Sequence, residues 1–204
     1  MSRSGTSRPR NAELTRARLL AAARREFTEH GYDGTSVRTV AAEAGVAPNL
    51  ITRYFGGKEG LFAAATDLEL DVPAVLPGPP ERLGERIATA VVNRWEAAGA
   101  GDPLLMMLRS AGTSAPAAQT LADFFASQAA GPLAAHLATE RHWTARAAED
   151  RVAAIGALIL GVVTMRYVMR RGPLAQAGVR PLTGWLADRL QRLLDDPAPP
   201  SLLA

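Results

Sequence analysis

No cysteine occurs among the 204 residues of this chain, which excludes disulfides and thiolate metal sites and is compatible with a reducing compartment. Aromatic residues supply only 5% of it, and no stretch alternates apolar and polar residues as a half-buried strand does. Together with abundant alanine, these shortages point to an all-α chain. Histidine is scarce, at three. His136 and Glu140 fall at i, i+4 on one helix, but no second ligand pair accompanies them, and they read as a surface pair rather than a metal site. Ser110, Ser114 and His136 belong to no nucleophile motif, and no glycine-rich phosphate loop follows a strand. The expectation is therefore no enzyme, no cofactor and no metal. The start, MSRSGTSRPR, lacks the apolar segment of a secretory signal. The longest nearly unbroken apolar run, 152–165, is flanked by Arg151 and Arg166 and is too short for a transmembrane span. A cytoplasmic protein without a membrane partner is expected.

What is present is unevenly charged. The net charge is only +3, yet residues 1–25 carry seven arginines (Arg3, Arg8, Arg10, Arg16, Arg18, Arg24, Arg25) against one acid, Glu13. Such an arm suits phosphate attraction and entry into a minor groove, with residues 1–11 disordered in free solution. The first helix is expected over 12–29, with Leu14, Ala17, the Leu19-Leu20 pair, Ala21 and Phe27 as its apolar stripe.

The informative stretch is 35–62, TSVRTVAAEAGVAPNLITRYFGGKEGLF. Thr35 and Ser36 are good N-caps. Val37, Val40, Ala41 and Ala44 recur at helical spacing, and Gly45 ends the helix at a position needing a left-handed residue. Pro48 suits a helix start, Leu50, Ile51, Tyr54 and Phe55 supply a buried side, and Gly56-Gly57 stop it. Two short helices across a glycine-containing turn form a helix-turn-helix, whose second helix can lie in a DNA major groove. Asn49, Thr52 and Arg53 can hydrogen-bond base edges or phosphates, and Pro48 can meet a thymine methyl. Arg38 and Lys58 add positive charge beside them.

The same stretch resembles the DNA-binding domain of the TetR/AcrR family of transcriptional regulators. The resemblance rests on Thr35-Ser36, Ala41-Ala42-Glu43-Ala44-Gly45-Val46, Tyr54-Phe55 and Lys58-Glu59-Gly60-Leu61, and it covers about residues 14–62. Two positions depart from the family pattern. Ala47 stands where a Ser or Thr usually caps the recognition helix, and Thr52 replaces a frequent phosphate-contacting Tyr. The resemblance implies a helix-turn-helix domain over 12–57, a helical effector-binding and dimerisation body over 58–194, and a frayed tail over 195–204. It also implies a DNA-binding set of Thr35, Ser36, Arg38, Pro48, Asn49, Leu50, Thr52, Arg53, Tyr54 and Lys58.

In the body, the proline-rich run 72–80 is expected to have no helix. A helix over 81–97 carries Leu83, Ile87, Val91 and Trp95, and Asp102-Pro103 starts another. Ser114 caps the next, which Gly131-Pro132 should kink or break. Thr144 caps the longest helix, 145–170, which is apolar almost all round from Val152 and so expected to be buried on several sides. There Gly156 and Gly161 would admit a close neighbour. A last helix runs 182–194. By resemblance, the final two helices pair with a second copy through Ile155, Ile159, Val162, Trp185, Leu186 and Leu190. A homodimer would present two recognition helices to a pseudo-palindromic operator. Also by resemblance, a small-molecule effector would sit in the body among Trp95, Met106, Met107, Phe124, Phe125, Met165 and Tyr167, with Arg109 and Arg166 available to an anion. The expected protein is a repressor released by its effector. The alternative is a helical small-molecule-binding protein with little specific DNA binding, to which Ala47 and Thr52 point.

Overall fold

The computed structural model describes residues 7–97 and 102–196, with side chains from Asn11 onward. Every regular element among the described residues is helical, as the composition requires. The chain divides into two compact units, one of residues 1–68 with 99–121 and the other of residues 69–98 with 122–204. The division differs from the expected one at residue 57. Residues 58–68 and 102–121 belong with the helix-turn-helix, where buried Leu61, Phe62, Ala65, Leu104, Leu105 and Met107 add to its small core.

The first unit starts with α1 (Ser7–Gly34), interrupted at Gly31, where φ is +71°. The helix thus begins well before residue 12. Its buried stripe is Leu19, Ala22, Ala23 and Phe27, whereas Leu14 is 56% exposed and Ala17 and Ala21 face solvent. The inward set lies at i, i+3, i+4, i+8, the periodicity of one helix face. Helix α2 (Val37–Ala44) is capped by Ser36, whose hydroxyl accepts from the Thr39 amide at 3.0 Å. It ends in a Schellman turn: the Val46 amide donates to Ala41 and the Gly45 amide to Ala42, with Gly45 at φ +64°. Helices α3 (Asn49–Phe55) and α4 (Lys58–Ala65) follow. Phe27, Tyr32 and Phe62 form the aromatic centre, with Phe62 edge-on to both other rings at 5.0 Å. Helices α5 (Val72–Val75) and α6 (Leu83–Glu96) belong to the other unit. Helix α7 (Pro103–Ala111), capped by Asp102 through the Leu104 and Leu105 amides, returns to the first unit and buries Leu104, Leu105, Met106 and Met107. The start of α8 (Ala115–Phe125) completes it. Ser114 precedes α8 as expected, but its buried hydroxyl has no hydrogen-bond partner, so its side chain does not cap.

In the second unit the proline-rich run is not wholly irregular. Asp71 caps the single turn of α5, which takes Pro73 where its missing amide is harmless, and a 3₁₀ turn spans Pro80–Arg82. The core joins Leu83, Ile87 and Val92 of α6 to Leu133 and Leu137 of α9 (Gly131–Glu140), Val152 and Ile155 of α10 (Ala145–Val163), and four leucines of α12 (Val179–Asp195), Leu182, Leu186, Leu190 and Leu194. Gly131-Pro132 does not break its helix. A π-turn over Ala126–Ala130 absorbs the missing proline amide. A second π-turn, Thr164–Met169, extends α10. Between it and α12 lies the short α11 (Pro173–Gln176), so the last helix starts three residues before the expected 182.

Within this second unit the closest helix approach is not on α10. A Cβ on Gly84 would lie 2.6 Å from the Gln191 amide nitrogen and 2.7 Å from the Ala187 carbonyl oxygen. Only glycine lets α6 approach α12 so closely, and the Gly84 amide then donates to the Gln191 side chain at 2.8 Å. Gly156 and Gly161 have open space where a Cβ would stand. Nor is α10 buried on several sides within this unit. Ala153, Ala157, Gly161 and Met165 are exposed. Residues 145–169 also form a helix long and apolar enough to cross a membrane by length and composition, which the run 152–165 alone is not.

Candidate nucleic-acid interface

The local chain builds a platform with its reactive side turned outward. Val40, Ala41 and Ala44 on α2 and Ile51 on α3 are buried against α1 and α4, with Val37, Leu50, Tyr54 and Phe55 half-buried beside them, which leaves the opposite side of these short helices to solvent. Arg38, Pro48, Asn49, Thr52 and Arg53 are exposed. Among the described residues, the side chains of Arg38, Asn49, Thr52 and Arg53 have no hydrogen-bond or ion-pair partner. Their donors and acceptors are therefore free to meet bases and phosphates. Helix α3 has no side-chain cap at its N-terminus, as Ala47 implied. Its opposite, C-terminal end is closed by Gly56, whose amide donates to the Thr52 carbonyl at 2.9 Å.

Other members of the expected set occupy different environments. Thr35 is buried, and its hydroxyl lies 2.8 Å from the Gly31 carbonyl and 3.0 Å from that of Glu26. It closes the end of α1 and presents nothing to a ligand. Ser36 is exposed, with its hydroxyl engaged by Thr39 at 2.6 Å. Leu50 and Tyr54 are half-buried. Lys58 is half-buried too, its Nζ 4.5 Å above the Tyr32 ring, a cation–π contact that holds the ammonium at the start of α4.

The arginines of α1 divide in a way charge counting did not show. Arg24 donates to the Ala65 carbonyl at 3.0 Å, satisfying the C-terminus of α4, and Arg25 pairs with Glu43 of α2. Arg16 lies over the Phe55 ring at 5.2 Å. These three bind helices together. The signal for Arg24 was its place one turn before Phe27, on the edge of the buried stripe. Residues 1–6 of the expected arm lie outside the described residues, as do 197–204 of the expected tail.

The candidate effector residues do not form one group. Met106, Met107 and Arg109 lie in the first unit, the two methionines in its core and Arg109 on its surface. In the second unit Trp95 stacks on Tyr167 at 5.8 Å, Phe124 and Phe125 meet edge-on at 5.5 Å, and Met165 is 37% exposed. Arg166 is not free for an anion. Its Nε and one terminal nitrogen reach Glu96 at 3.0 and 2.8 Å, and the other donates to the Leu174 and Ala177 carbonyls at 2.8 Å. The Tyr167 hydroxyl donates to the same Glu96 oxygen at 2.7 Å. Burial, reinforced by that carboxylate, pushes the Tyr167 phenol up to about 12. The hydrogen bond from Tyr167, and behind it Arg166, holds the Glu96 carboxyl below its ordinary value.

Of the residues expected to meet a second copy, Ile155, Val162, Leu186 and Leu190 are buried in the unit's own core. Only half-buried Ile159 and Trp185, 40% exposed, remain available. Hydrophobic periodicity marks both kinds of position alike. The sequence also missed Arg151, which is 2% exposed. It donates to the Leu193 and Asp196 carbonyls and stacks on Trp143 at 4.6 Å, fixing the end of α12.

Residues 19–65 match the family model described as bacterial regulatory proteins, tetR family, and residues 81–194 match the tetracyclin repressor-like C-terminal domain. An HTH-type transcriptional repressor of Streptomyces coelicolor is 38% identical over 75 residues, 36% of this chain and 39% of that protein. The repressor AcnR of Corynebacterium glutamicum is 41% identical over 64 residues, 31% of this chain and 32% of that one. The matches thus span well under half the length of these curated relatives. A crystal structure of a TetR-family regulator from Streptomyces coelicolor superposes with a TM-score of 0.68 at 29% identity, covering 96% of this chain and all of that one. NalD of Pseudomonas aeruginosa, described as the secondary repressor of a multidrug efflux pump, gives 0.67 at 19% identity over 88% of this chain and 97% of its own, a likeness of fold alone.

Proposed function

The chain belongs to the TetR family of bacterial regulatory proteins, and from that membership we propose that it is a cytoplasmic transcriptional repressor, not an enzyme, that binds a pseudo-palindromic operator as a homodimer. The observation that carries the reading is the row of exposed, unpartnered Asn49, Thr52 and Arg53 on α3, beside Arg38 of α2. Unsatisfied donors on a rigid, closed three-helix core match the major groove, where bidentate contacts discriminate bases. Arg38, Asn49, Thr52 and Arg53 read or position bases, and Pro48 offers an apolar contact. Tyr54 and Lys58 face phosphates. A second copy covers the bare side of α10 together with Trp185. A small-molecule effector binds in the helical body, favours the conformation that fits DNA poorly, and so releases the operator.

A footprint of the purified protein on DNA flanking its own gene, across a salt series with competitor DNA, tests the reading. A protected pseudo-palindrome that survives competitor is expected. Diffuse protection that vanishes with salt would instead favour the helical binding-protein reading. Replacing Arg53 with alanine should lower the ratio of operator to competitor affinity by about tenfold or more while leaving the fold intact.

A further inference from the structure

Within the first unit, α7 packs against the end of α1. The Tyr32 amide donates to the Ser110 hydroxyl at 3.3 Å, and the Thr28 hydroxyl lies 3.8 Å from the Met106 sulfur. A cleft of about 310 Å³ opens along this contact. Its floor is apolar, made by Phe27, Tyr32 and Met106, which are buried in the unit. Its rim is charged with both signs, Glu29 and Asp33 from α1 and Arg109 from α7. Among the described residues these three make no hydrogen bond or ion pair, with each other or with any neighbour. His30, between the two acids, is taken by Glu26 at 3.6 Å. Ser110 is 3% exposed, and its hydroxyl accepts from Tyr32 while its own proton has no acceptor among the described residues.

Solvated surface charges are common and commonly unpaired. This group differs because opposite charges flank one cleft without closing on each other, over an apolar floor, with a buried hydroxyl proton left over. We propose that the cleft is a binding site for a small zwitterion with an apolar side chain, of the amino-acid class. Its carboxylate meets Arg109 and the Ser110 hydroxyl, its ammonium meets Glu29 and Asp33, and its side chain lies in the cleft against Tyr32. A ligand of one charge leaves half the rim unanswered. The volume stands at the lower end of ligand pockets, which favours one residue over a long peptide.

The test is calorimetric titration of the full-length protein, without DNA, with L-phenylalanine, L-leucine and L-methionine. At least one should bind saturably. For that probe, N-acetylation, which removes the ammonium, and amidation, which removes the carboxylate, should each weaken binding about tenfold or more. Arg109 is exposed, so Arg109→Gln should keep the helical circular-dichroism spectrum and bind the free amino acid no better than its amide. Absence of saturable binding by all three probes overturns the proposal. So does equal binding of the blocked forms by the unaltered protein, a result that needs no variant to fold. Because no DNA enters the measurement, failure here leaves the operator reading standing.

Discussion

The two long helices, α1 and α10, solve opposite problems. Helix α1 is rich in arginine, yet its narrow stripe of Leu19, Ala22, Ala23 and Phe27 is 0–1% exposed. Helix α10 is far more apolar, yet only about a fifth of its most hydrophobic window is buried within the chain, 22%. One of its most buried side chains is a charged one, Arg151, 2% exposed. Hydrophobicity thus fails to rank the burial of these helices. Position relative to a complementary surface decides it: α1 has α2, α4 and α7 around one face, whereas α10 has more apolar surface than its own unit covers. An excess of that kind is what a second copy of the chain would bury.

Four substitutions would break or sharpen this contrast. Phe27→Ala should cost about 4 kcal/mol in urea unfolding, because a ring meeting both Tyr32 and Phe62 leaves a cavity in a core too small to collapse around it. A loss below about 1 kcal/mol would mean the first unit is not held by its aromatic centre. Next is Arg151→Ala, expected to cost about 2 to 3 kcal/mol by leaving the carbonyls at the end of α12 without their charged donor. Burial lowers the pKa of the Arg151 guanidinium, and the nearby Asp196 and Asp195 carboxylates oppose that shift. Equal stability of Arg151→Ala and the unaltered chain would reverse the reading of α10.

A smaller and pH-dependent effect is expected of Glu96→Gln. The folded Glu96 carboxyl is held below its ordinary 4.5, so its stabilisation is complete above that value and disappears as pH falls through the lowered folded value. The unaltered chain should lose stability across that acid range more steeply than Glu96→Gln, and parallel acid titrations of the two would refute the role assigned to the Tyr167–Arg166 cluster. Least affected should be Leu14→Ala, within about 0.5 kcal/mol of the unaltered chain, since Leu14 is 56% exposed. Against Phe27→Ala on the same helix, it separates hydrophobic character from placement.

Much of the candidate DNA interface was legible because helix-turn-helix geometry is local. Ser36, Gly45 and Gly56 act on backbone groups a few residues away, and a short helix with one buried residue, Ile51, has its outward side settled by spacing alone. The frame of caps and stops at Asp102 and Thr144 was readable for the same reason. What failed were inferences about which partner a polar side chain takes, whether that partner is near or far in the chain. Thr35 reads as a cap from its neighbours, but its hydroxyl turns to carbonyls of α1. Arg166 reads as an available cation, but Glu96, seventy residues earlier, occupies it.

The sequence by itself therefore determined the helical class, the caps at Ser36, Gly45, Asp102 and Thr144, the second helix of the helix-turn-helix and most of the residues that helix leaves exposed, since each follows from contacts within about one or two turns. The tertiary structure decided which apolar positions are core and which are surface, that Gly84 rather than Gly156 or Gly161 is the close approach, and that Arg24, Arg151 and Arg166 hold helices together. Periodicity fixes a face of a helix, but the partner of that face is chosen by packing between segments far apart in the chain, which no local pattern encodes.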